Sequence, residues 1–122
     1  MAIVGYFEGT DPLVLTKLAS KSIGTLPLSN GFDKHGKYVN HLTRQDDISV
    51  VVGYLHKVLP TPQWNLTPGD LLFSCLTHQI PVLLIVENQD HEEARRVLGD
   101  VGDRVTLVDP ASLYQTIVQT IS

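Results

Sequence analysis

His56 and Lys57 stand directly behind one apolar run, residues 48–55, and the turn Glu8-Gly9-Thr10-Asp11 stands directly behind another, residues 3–7. In a parallel α/β sheet, loops that leave the carboxyl ends of strands carry the ligand chemistry. At such a position His56 could exchange a proton as general acid or base, and Lys57 could neutralise an anionic ligand. Glu8 is the second proton-transfer candidate and could equally hold a sugar hydroxyl. Asp11 precedes Pro12 and reads as a helix cap instead. Gly9 and Thr10 could cradle an anion with backbone N–H groups and a hydroxyl. Both glycine-rich phosphate signatures are absent, however, and a capped turn without a ligand accounts for the same residues.

The segment at residues 29–41 is the densest in polar and titratable side chains. Asn30, His35 and Lys37 are its ligand-binding candidates, and a solvated loop is the plain alternative. His35 and His41 are six residues apart, a spacing that does not put them on one helix face, so no metal site is expected. The connection at residues 56–66 carries Pro60, Pro62 and Trp64 and is long for an α/β unit. It could lie over a site as a lid, with Trp64 stacking on a ligand, or Trp64 could simply pack the loop.

These groups need elements to position them. Asp11-Pro12, Thr67-Pro68 and Asp109-Pro110 each place a side-chain oxygen before a proline, the signature of a capped helix start. Each follows an apolar run, or a loop just after one, so strand and capped helix alternate. Strands are expected at residues 3–7, 25–29, 48–55, 81–86 and 104–108. Helices are expected after Asp11, at about residues 34–44, at 67–79, from Asn88 or Asp90 through Leu98, and after Asp109. The result is an α/β three-layer sandwich with a five-stranded, mostly parallel sheet, flavodoxin-like or Rossmann-like. Pro27 cannot donate to a ladder, which puts the second strand at an edge and favours the order 2-1-3-4-5, with 3-2-1-4-5 as the alternative. A ligand would then sit beyond strands one and three, where the order reverses.

The 122 residues read as one domain, 1–122, with 43% apolar and 18% charged side chains and no low-complexity tract. A formal charge of −4 supplies no basic field for nucleic acid. No apolar run approaches the roughly 20 residues that span a bilayer, and no leader pattern opens the chain, so a cytoplasmic location is expected. Cys75 lies among Leu71, Leu72 and Leu76, which suggests a buried structural thiol. Leu113, Ile117 and Ile121 recur every four residues along the last helix, a stripe that could form a homo-oligomer surface.

The combined reading is a domain that binds a small polar, anionic metabolite such as a nucleotide, sugar phosphate or carboxylate. Transfer or hydrolysis is chemistry that His56 and Glu8 could perform there. No motif selects a cofactor. The competing reading is a non-catalytic regulatory or oligomeric scaffold, because a fold alone carries no activity.

Overall fold

A computed structural model describes residues 2–30, 36–59 and 67–122. Among them the strands β1 (Ile3–Phe7), β2 (Gly24–Ser29), β3 (Lys37–Tyr38), β4 (Val50–Tyr54), β5 (Val82–Ile85) and β6 (Thr106–Val108) form one parallel sheet in the order β3-β2-β1-β4-β5-β6. The helices are α1 (Pro12–Ser20), α2 (Pro68–Leu71), α3 (Phe73–Thr77), α4 (His91–Leu98) and α5 (Leu113–Ile121). The α/β class and the parallel sheet are as the alternating pattern requires. None of these helices is long and apolar enough to cross a membrane.

Strand alternation divides the apolar residues between two faces. Phe7, Leu28, Val51 and Leu84 meet Leu71 of α2, Cys75 of α3 and Ala94 and Leu98 of α4. Val4, Val50, Val52 and Leu83 point the other way and meet Val14 and Leu18 of α1 and Leu113 and Ile117 of α5. The sheet is thus covered on both faces, which is why its central strands are continuous apolar runs. Leu113 and Ile117 are buried within this one chain, each worth about 1.5–3 kcal/mol as core. Ile121 is half-buried against the same cluster. The stripe on the last helix therefore covers its own sheet.

All three predicted caps form. Asp11 Oδ1 accepts from Leu13 N at 2.9 Å, Thr67 Oγ1 from Asp70 N at 3.1 Å, and Asp109 Oδ2 from Ala111 N at 3.0 Å.

Three expectations need correction. The sheet has a sixth strand, because β3 pairs with β2 through Leu28↔Lys37 and Ser29↔Tyr38. The second strand is therefore not an edge at its carboxyl end, although the five longer strands keep the order read from sequence. Pro27 does leave its mark, since the ladder to β3 begins one residue beyond it. Gly36 makes the approach possible: its φ is +80°, and a Cβ there would lie 2.2 Å from the Pro27 carbonyl oxygen.

The second correction concerns the helix expected at about residues 34–44. From residue 36 onward β3 and two short 3-10 turns, Val39–His41 and Arg44–Asp46, stand in its place. Val39 and Leu42 are buried there as a lid on the first core. The third concerns the helix expected at residues 67–79, which is broken at Leu72 into α2 and α3.

Candidate functional site

The carboxyl ends of all six strands lie along one edge of the sheet, as parallel pairing dictates. The order reverses between β1 and β4. At that reversal the polar groups largely serve the fold. Thr10 is buried, and its hydroxyl donates to the Phe7 carbonyl at 2.8 Å while its N–H reaches the same oxygen at 3.3 Å. Gly9, at φ +89°, lets the turn close this tightly. Asn30 reaches from the end of β2 past β1, where its amide donates to the Lys57 carbonyl at 2.8 Å. Glu8 is exposed on the same turn.

The sequence candidates thus divide. Asn30 and Lys57 come together, through the Lys57 backbone. Lys37 lies on β3, at the sheet edge, with its ammonium 2.7 Å from Asp46 Oδ1. This pair and the Thr43 N–H hold the Asp46 carboxyl below its usual range. His35 and Trp64, with the greater part of the connection around Trp64, fall outside the described residues.

His56 belongs to a different neighbourhood. It sits in the 3-10 turn Leu55–Lys57 and borders a groove of about 410 Å³ between the ends of β4 and β5. Leu55, Leu59, Ile85, Val86 and Pro110 provide apolar wall, while Tyr54, His56, Glu87 and Asp90 provide the polar groups. The Tyr54 and His56 rings are 5.9 Å apart between centroids and inclined by 30°. His56, Glu87 and Asp90 are all exposed at the groove. Glu87 Oε2 also accepts from Gln89 Nε2 at 3.2 Å, so the loop stiffens its own carboxylate.

The groove is held from behind. Asp109 Oδ1 accepts from Asn88 N at 3.1 Å, which ties the loop after β5 to the start of the last helical segment. His91 Nε2 donates to the Val86 carbonyl at 2.7 Å, so that nitrogen carries the hydrogen. His91 is half-buried in this contact.

Glu87, Asp90 and Pro110 are groove residues that the sequence reading missed. A signal was present for two of them, since Glu87 and Pro110 follow their strands as directly as His56 does. At the reversal point, which the strand order favoured, the Thr10 and Asn30 side chains are engaged by backbone carbonyls. Among the described residues no cluster of His, Cys, Asp and Glu could hold a metal ion.

Comparison with protein-family models, with curated proteins and with solved structures returns no match. The site is therefore read from its own chemistry.

Proposed function

We propose that this chain binds a small hydroxyl-bearing metabolite, of the sugar or nucleoside kind, in the groove between the ends of β4 and β5. The observation that carries the reading is the convergence of His56, Glu87 and Asp90 on one groove with apolar walls. Ionised carboxylates only accept hydrogen bonds, and each hydroxyl of a polyol brings a donor that they can use. The His56 imidazole can accept from or donate to a hydroxyl, and it is the group placed to exchange a proton with one. Leu55, Leu59 and Pro110 suit the C–H face of a sugar ring or the plane of a base. A groove of about 410 Å³ is of the size that small-molecule sites occupy.

The test is calorimetric titration with ribose and adenosine. Saturable binding is expected in the wild type, weakened about tenfold or more by Glu87→Gln combined with Asp90→Asn, since charge-assisted hydrogen bonds are the strong ones. His56→Ala should weaken it as well, with an unchanged circular dichroism spectrum. Absence of binding by either compound at millimolar concentration, or binding indifferent to these variants, overturns the reading.

A further inference from the structure

A second groove of about 340 Å³ shares one lining residue, Pro110, with the first. It runs between α1 and α5, with Leu13, Lys17, Ala111 and Tyr114 among its walls. Two side chains of this compartment, Leu13 and Lys17, are exposed. Leu13 is 72% exposed and offers the groove an apolar surface. Lys17 lies with its ammonium 5.4 Å from the centroid of the Tyr114 ring and, among the described residues, makes no ion pair with a carboxylate.

The two compartments are complementary in charge. The first offers the Glu87 and Asp90 carboxylates and the second offers the Lys17 ammonium, with Pro110 between them. Asp11 also borders the second groove and opposes an anion there. Its Oδ1 is engaged by Leu13 N, and it precedes Lys17 by six residues, about 9 Å along a helix axis. An anion seated at Lys17 therefore need not approach it.

Resting on the proposed function above, we infer that the ligand is a phosphorylated sugar that lies across Pro110, its hydroxyls toward Glu87 and Asp90 and its phosphate against Lys17. The Lys17 ammonium is held near the Tyr114 ring, and Leu13 lines the same groove as an apolar neighbour. A phosphate can accept charge-assisted hydrogen bonds from a lysine ammonium, which acts on it as a point charge. The phosphorylated sugar could be free or part of a nucleotide.

The experiment compares ribose with ribose 5-phosphate, and adenosine with adenosine monophosphate, by calorimetry at low ionic strength. The phosphorylated member of a pair should bind about tenfold tighter. Lys17→Gln should remove that increment and leave ribose and adenosine affinities unchanged, Lys17→Arg should retain it, and added salt should shrink it. An increment in the ribose pair assigns a free sugar phosphate as the source, and one in the adenosine pair alone assigns a nucleotide. Binding of ribose or adenosine without any increment, or an increment that survives Lys17→Gln, overturns this inference and leaves the proposed function standing. Failure of all four compounds to bind overturns both.

Discussion

Asp109 and Asn88 join the two walls of the groove: Asp109 Oδ1 accepts from the Asn88 N–H at 3.1 Å while Oδ2 caps Ala111 at 3.0 Å. One carboxylate thus starts the last helical segment and fixes the loop that carries Glu87 and Asp90. Asp109→Asn separates the two duties. An asparagine retains one accepting oxygen for the cap, but its amide nitrogen cannot accept from Asn88 N. The variant should lose less than about 1 kcal/mol of stability in urea denaturation and still weaken ribose binding severalfold. Asp109→Ala should add the loss of the cap, about 0.5–2 kcal/mol. Unchanged ribose affinity in both variants would mean that the tether does not position the carboxylates.

A side chain from outside fills the break between α2 and α3. Asn40 Oδ1 accepts from Ser74 N at 3.2 Å, and Asn40 Nδ2 donates to the Asp70 carbonyl at 2.7 Å. It therefore caps the start of one helix and the end of the other, and Ser74 Oγ returns a bond to the Asn40 carbonyl at 2.6 Å. Asn40→Ala leaves two backbone groups without these partners and should cost about 2–3 kcal/mol in chemical denaturation. Ser74→Ala removes one hydroxyl bond and should cost about 1 kcal/mol. Equal costs would show that the amide does not serve both helix ends.

The same contact explains what the sequence could and could not disclose. Asp11-Pro12, Thr67-Pro68 and Asp109-Pro110 are local signals, read within four residues, and all three caps form where they stand. The break at Leu72 depends on Asn40, more than 30 residues earlier, so the local pattern showed only one helix. β3 was illegible for a like reason: two residues, Lys37 and Tyr38, become a strand only by pairing with Leu28 and Ser29. At the candidate site, the strand-end position of His56 was legible in the sequence. Which strand-end groups remain open to a ligand depends on contacts such as Asn30 with the Lys57 carbonyl, and these have no local signature.

The Lys37–Asp46 pair holds the edge strand to the turn that follows it. Asp46 Oδ2 also receives the Thr43 N–H at 2.8 Å, so its ionised form is favoured chiefly by the lysine and then by the backbone. A carboxyl lowered in the folded state contributes stability above its unfolded value, and that contribution disappears as pH falls through the lower, folded value. The Thr43 amide resonance should therefore shift with a midpoint below the ordinary value of 3.8. Asp46→Asn should abolish that step. A midpoint at or above 3.8 would contradict the pairing.

Cys75 supplies the opposite case. Its side chain is wholly covered inside the first core, and burial pushes the thiol up to about 12 from an ordinary 9.0. The cause is desolvation, since a thiolate has no compensating charge in the apolar surroundings of Leu71 and Leu72. A depression of about 240 Å³ borders this residue at the surface, yet the sulfur is not exposed in it. Reaction with a thiol reagent at pH 8 should thus wait for the chain to open, and its rate should not exceed the rate of opening. The sign of the pH effect follows from the raised value. Below 9.0 the thiol is neutral in both states and the native form is at no disadvantage; between 9.0 and about 12 the unfolded chain ionises while the native one does not. Stability should fall across that alkaline window, and Cys75→Ala, which has no proton to lose there, should fall less steeply. Native modification at the rate of the unfolded chain, or identical alkaline slopes in the two proteins, would place the thiol in contact with water.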